Sequence, residues 1–199
     1  MSNDFPDPLL VMALPVESQG VFERARIPVL YTGVGKVNAT YVLTRRLAEY
    51  LHNAVPLPQV INFGTAGSRR HATGTTLECH AFVQRDMDVT GLGVPLGVTP
   101  FEETPTRLEF PPVFEHLPRG LCGSGDSFVM SAATMDCDVL DMEGYALAKV
   151  CWLERAAFTA VKFVTDGADH AAGQDWHRNL LLAAERFLLL YQQLFDDPR

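Results

Sequence analysis

Short apolar runs, each broken by glycine, proline or a carboxylate, alternate along this chain with longer stretches in which apolar residues return every three or four positions. The first kind reads as buried strands and the second as amphipathic helices. Residues 9–14 form the first run, with Pro15 and the polar Glu17-Ser18-Gln19-Gly20 marking a turn into a helix. Residues 28–32 form a second strand that ends in Gly33-Val34-Gly35-Lys36, and the apolar spacing of residues 37–51 predicts the helix that follows. Residues 60–63 repeat the theme and break into Gly64-Thr65-Ala66-Gly67-Ser68, read as another glycine-rich turn. Further strands are predicted over 78–84, 139–142 and 157–165, and helices over 144–153 and 176–194, while residues 121–129 return to the core. Residues 91–118, rich in Gly, Pro, Thr and Glu and without periodicity, read as a loop or lid. Strands alternating with helices predict an α/β fold on a largely parallel sheet. With no repeat and no linker, residues 1–199 are expected to form one domain.

Three of the apolar runs finish at a carboxylate: Glu17 follows the first, Asp141-Met142-Glu143-Gly144 closes the run at 139–142, and Asp166 follows Val161-Lys162-Phe163-Val164. An α/β fold presents side chains at the C-terminal rim of its sheet, so three acids at such rims point to a site. Any one of them alone would serve equally as a helix cap or a loop acid.

Composition narrows the class. The chain of 199 residues is 47% hydrophobic and 20% charged, as in an ordinary globular protein. A net charge of -8 and a pI near 5.2 argue against a nucleic-acid surface. Arg45-Arg46 and Arg69-Arg70 read as solvated faces rather than phosphate clamps. Cys79, Cys122, Cys137 and Cys151 lie in apolar contexts without metal spacing, which predicts buried thiols in a reducing, cytoplasmic setting. The start Met1-Ser2-Asn3-Asp4-Phe5-Pro6 indicates neither a signal peptide nor a membrane anchor. No His grouping predicts a metal, and no cofactor is implied.

The glycine motifs are weak on their own. Gly33-x-Gly35-Lys36 lacks the P-loop spacing and has Val37 where a magnesium-binding hydroxyl would stand. Asp86-x-Asp88 reads as a loop cap.

In order, however, Ala13-Leu14-Pro15-Val16-Glu17, Thr32-Gly33-Val34-Gly35-Lys36-Val37-Asn38-Ala39, Ile61-Asn62-Phe63-Gly64-Thr65-Ala66-Gly67, Asp86-Met87-Asp88-Val89-Thr90, Ser124-Gly125-Asp126-Ser127-Phe128-Val129, Asp141-Met142-Glu143 and Thr165-Asp166-Gly167-Ala168-Asp169 form a recognisable series. The chain resembles the nucleoside phosphorylase and nucleosidase superfamily, and within it the methylthioadenosine/S-adenosylhomocysteine nucleosidase branch most of all. The resemblance implies a three-layer fold with a central mixed, largely parallel twisted sheet flanked by helices. It implies hydrolysis of the N-glycosidic bond of a 5′-modified adenine nucleoside, and a homodimer.

By the same resemblance Glu17 matches the acid that activates water, Asp166 the acid that protonates the purine leaving group, and Met142 and Glu143 the pair that holds the ribose hydroxyls. Thr65 and Lys162 stand where the family places a hydroxyl and an arginine beside the ribose and water; Ala66 and Gly67 share that segment. Phe128 and Val129 match the segment that stacks on the base, and Trp176 an aromatic closing the 5′ side, though Trp176 would serve equally as a helix-packing anchor. Cleaving such a bond builds positive charge on the ribose and negative charge on the base, which calls for a proton donor at the base and carboxylates around the sugar. An acid at Glu17 would repel phosphate, which favours water as the nucleophile, while Arg69 and Arg70 keep phosphorolysis open. Ser68 in place of the family's second glycine and the reduced 91–118 stretch leave open a futalosine-like or nucleotide substrate, or a non-catalytic nucleoside-binding role.

Overall fold

A computed structural model of the chain describes residues 6–129, 135–168 and 172–196, the side chains of 172–175 and 195–196 excepted. The residues Met1 to Phe5, and Asp169 of the last phrase above, lie outside that set. In chain order the elements are β1 (Leu9–Met12), α1 (Pro15–Ser18), α2 (Val21–Arg24), β2 (Val29–Tyr31), α3 (Lys36–His52), β3 (Val60–Gly67), β4 (Thr76–Gln84), β5 (Arg107–Glu109), β6 (Arg119–Ser124), β7 (Val139–Asp141), α4 (Gly144–Glu154), β8 (Phe158–Asp166) and α5 (Ala172–Asp196).

The strands form one mixed sheet in the order β2-β1-β3-β7-β6-β4-β5, with β8 paired to both β3 and β4. The β1–β2, β1–β3, β3–β8, β4–β6 and β6–β7 pairs are parallel. The β3–β7, β4–β5 and β4–β8 pairs are antiparallel. Because β8 bridges β3 and β4, the strands β3, β7, β6, β4 and β8 close on one another and leave no free edge among them.

Period-two alternation sorts the strand residues into two cores. Val11, Val60 and Val164 face α3 and α4, where Ala39, Leu43 and Leu47 make one apolar stripe at helical spacing and Leu147, Ala148 and Cys151 meet it. Leu10, Ile61, Phe63 and Phe163 face the opposite layer, built from Phe22 of α2 and Ala183, Ala184, Phe187 and Leu190 of α5. There the Phe63 and Phe187 rings stack at 5.1 Å. Helices thus cover both faces of the sheet, the three-layer arrangement expected. All four cysteines are buried free thiols.

Two expectations need correction. Gly64-Thr65-Ala66-Gly67 is not a turn: β3 runs on through it, paired with β8 as far as Gly67 opposite Asp166. The glycines mark close approach instead. A Cβ on Gly67 would lie 2.7 Å from Asp166 Oδ1, and one on Gly64 would lie 3.0 Å from Lys162 Nζ. The other correction concerns residues 91–118, which supply β5 to the edge of β4 and bury Leu108, Phe114 and Leu117 in the core. The buried Glu78 carboxylate accepts the backbone N–H groups of Val113 and Phe114, at 2.6 and 3.0 Å. Apolar anchors and a buried carboxylate make residues 107–117 part of the frame, while residues 93–106 keep the loop expected of them.

Candidate active site

The parallel strands β1, β3 and β8 end side by side, and the ends of β3 and β8 and the turn after β1 bring polar groups to one place. After β1, Pro15 opens the single turn of α1 and Glu17 folds back so that its Oε2 accepts the Leu14 N–H at 3.0 Å. Its Oε1 accepts the Thr65 N–H at 3.0 Å and the Thr65 hydroxyl at 2.8 Å. Trp176 of α5 donates its indole N–H to that hydroxyl at 2.8 Å. The hydroxyl proton is therefore directed at Glu17, and the buried carboxylate stands in the site as an acceptor.

Asp166 ends β8 and is also buried. Its Oδ1 accepts the Ala168 N–H at 3.0 Å and its Oδ2 the Thr165 hydroxyl at 2.9 Å, which fixes the carboxyl orientation over Gly67. Glu143 sits at the N-terminal cap of α4, and its Oε1 accepts the Gly35 N–H at 2.8 Å. Desolvation first, and then the neighbouring Asp141 charge, push the Glu143 pKa up to about 8. Near neutral pH the group is thus poised to donate as well as accept.

A cavity of about 260 Å³ opens between these acids. Glu17, Glu143 and Asp166 line it together with Thr65, Ala66, Gly67, Phe128, Val129, Met142 and Trp176. Phe128 remains 52% exposed at its wall.

Lys162 is the exception among the expected site residues. It is 1% exposed and does not line the cavity. Its ammonium lies beneath the floor, 2.7 Å from Asp141 Oδ2 and 2.8 Å from Asn62 Oδ1. An arginine's planar fork could address several partners, whereas a lysine presents one compact charge, here spent on Asp141 and Asn62. Burial would by itself lower the Lys162 pKa, but the Asp141 charge outweighs it and holds the ammonium above its ordinary range. Burial likewise opposes ionisation of Asp141, and Lys162 reverses this, keeping Asp141 below the usual carboxylate range. Asp141 also accepts the Gly144 N–H at 2.8 Å, so one buried pair ties β7, β8 and the start of α4 together.

The model of the phosphorylase superfamily matches residues 18–195. The chain belongs to that superfamily. A 5′-methylthioadenosine/S-adenosylhomocysteine nucleosidase from Marinomonas sp. is 29% identical over 88% of this chain and 83% of its own. An aminodeoxyfutalosine nucleosidase from Helicobacter pylori is 26% identical over 90% of this chain and 84% of its own. Among solved structures, a putative 5′-methylthioadenosine/S-adenosylhomocysteine nucleosidase from Francisella philomiragia superposes with a TM-score of 0.81 at 20% identity, covering 96% of this chain and 99% of that one. The futalosine hydrolase of Helicobacter pylori gives 0.79 at 22% identity over 96% and 99%.

The remaining motifs of this superfamily member take the following places in the fold. Gly35-Lys36 opens α3, and its successive N–H groups hold the Glu143 and Asp126 carboxylates, the latter at 2.8 Å. A helix N-terminus attracts anions whether they are phosphates or side chains, so the motif signals the interaction and not the partner. Arg69 and Arg70 form no phosphate cradle in the cavity: Arg70 pairs with Asp136 and Asp138, and Arg69 donates to the Ala168 carbonyl. Ser68 caps its turn, accepting the Arg70 and His71 N–H groups at 3.1 and 2.9 Å. Asp88 caps Thr90 as expected. Arg85, at the end of β4, reaches the cavity wall; the signal was a lone cation closing the apolar strand.

Proposed function

We propose that the protein is a purine nucleosidase that hydrolyses the N-glycosidic bond of a 5′-modified adenine nucleoside of the methylthioadenosine or S-adenosylhomocysteine type, releasing free base and a ribose derivative. The observation that carries this function is the convergence of three carboxylates from separate strand ends on one cavity, with Glu17 set as an acceptor by three donated hydrogen bonds. Glu17 takes the proton of the attacking water, Asp166 protonates the departing base, and Glu143 with Met142 holds the ribose hydroxyls. Phe128 and Val129 form the base wall, and Trp176 closes the 5′ side while orienting the Thr65 hydroxyl. Lys162 acts from beneath through Asp141 rather than on the ribose.

We take water as the nucleophile because an acid at Glu17, on the cavity wall, would repel phosphate. The names of the similar proteins support the same chemistry, and the Helicobacter pylori relative makes an aminodeoxyfutalosine-type nucleoside the second candidate substrate. We take residues 1–199 as one domain and the enzyme as a cytoplasmic homodimer in methionine salvage. In support of a dimer, exposed Val37, Tyr41 and Leu153 line a groove between α3 and α4.

The test is release of free base from methylthioadenosine, S-adenosylhomocysteine, aminodeoxyfutalosine and inosine, first without and then with phosphate. Release without phosphate is expected, fastest for a 5′-thio adenine nucleoside. Release only with phosphate would make the protein a phosphorylase.

A further inference from the structure

Arg85 is the only cation on the cavity wall among the described residues, and its guanidinium is turned toward one short segment. Nη1 donates to the Ser127 hydroxyl at 3.1 Å, and Nη2 donates to the Gly125 carbonyl at 3.0 Å and to the Ser127 carbonyl. The fit is close: a Cβ on Gly125 would lie 2.8 Å from Arg85 Cζ and 2.9 Å from Asp86 Cγ. Asp86 completes the grip by accepting the Asp126 N–H at 2.9 Å and pairing with Lys36. Residues 125–127 are thus held at every position by the end of β4 and the start of α3. The next two residues are Phe128 and Val129.

Phe128 is more than half exposed, so packing alone does not place it. The backbone leading to it is held by the clamp on the three residues before it. A buried guanidinium suits this task because its planar fork addresses two carbonyls and a hydroxyl in a fixed geometry, whereas a lysine presents one compact charge on a flexible stem. The clamp has no bond to Glu17 or Asp166 among those described.

We propose that Arg85 is the positioning residue for the base wall: through Gly125 and Ser127 it sets the place of Phe128 and Val129, and thereby the affinity for the purine, while bond cleavage is left to the acids. The inference rests on the nucleosidase function proposed above.

The experiment compares wild type, R85K and R85M, each checked for folding by circular dichroism, for kcat and KM on methylthioadenosine and for inhibition by free adenine. In R85M, KM and the adenine Ki are expected to rise about tenfold, the scale of one lost charged hydrogen bond, while kcat stays within about threefold. R85K should recover only part of the loss. Unchanged KM and Ki, or a fall in kcat alone, would overturn the inference. Should R85M fail to fold, G125A takes its place, since the added methyl displaces the guanidinium at a position with no left-handed backbone requirement. G125A with wild-type KM and Ki would overturn the inference equally. Adenine binding measured by calorimetry on the same proteins separates the two levels. A wild type that turns over no nucleoside yet binds adenine in an Arg85-dependent way sinks the function and leaves the clamp standing. Turnover with an indifferent Arg85 does the reverse, and a wild type that neither cleaves nor binds refutes both.

Discussion

In the function proposed above Asp166 is the acid that serves the leaving base, and its geometry makes that role sharply testable. Both its oxygens accept local hydrogen bonds, so D166N keeps size and most contacts while removing the acid. Turnover of methylthioadenosine should fall by roughly a hundred- to ten-thousand-fold with KM little changed, in steady-state base release. Loss of binding with no turnover in either form would instead indicate a binding protein. Trp176 acts one step further out, through the Thr65 hydroxyl. W176F leaves an aromatic wall but frees that hydroxyl from its donor, and kcat/KM should drop about five- to tenfold, the worth of one neutral hydrogen bond. A hundredfold loss would mean that the indole touches the reaction itself.

Between elements, the decisive contacts are those that strand pairing brings within reach. Gly67 on β3 faces Asp166 on β8 so closely that a methyl group would meet the carboxyl at 2.7 Å. G67A should therefore cut kcat by at least about tenfold by turning the acid away from the base, a misplacement effect, with the fold retained by circular dichroism. Wild-type kcat in G67A would show that the orientation of Asp166 is immaterial. The Lys162–Asp141 pair joins β8 to β7 and the start of α4 below the cavity. Replacing Lys162 by methionine strands a buried carboxylate and should cost about 3–5 kcal/mol in denaturant unfolding. K162M combined with D141N should recover much of that, because the amide removes the unpaired charge while its oxygen keeps the Gly144 N–H. If K162M proves as stable as wild type, the pair is not what holds this floor.

At the level of the whole molecule, Glu143 links the site to stability. Its folded-state pKa of about 8 lies above the unfolded value, so the native protein binds a proton that the unfolded chain has released. Stability is then greatest below the unfolded pKa and is lost as pH rises through about 8. Thermal unfolding of the ligand-free protein should show Tm declining from about pH 5 to about pH 8, and E143Q should flatten that decline. An identical slope in E143Q would assign the pH dependence elsewhere.

Most of the elements were legible along the chain because each depends on local pattern: period-two runs for the strands, the 39, 43, 47 spacing for α3, a proline at the start of α1; the short α2 and β5 were not. The acids were legible for a related reason, since an α/β sheet delivers the residue after each strand to one rim, and Glu17, Glu143 and Asp166 all follow apolar runs. Net charge could likewise be read without coordinates, because it is a sum over residues. What local pattern could not carry was direction across the fold. A glycine reads the same whether it turns a chain or makes room for a neighbour, and only the β3–β8 register showed that Gly64 and Gly67 do the second. Nor could sequence separate a lysine beside the ribose from one paired with Asp141 beneath it, because the pairing joins β8 to β7 across the sheet. The clamp of Arg85 on residues 125–127 spans forty positions of chain. Such contacts are chosen by distances in the folded protein, where desolvation makes each charge seek the nearest opposite charge or hydrogen-bond donor that packing brings within reach.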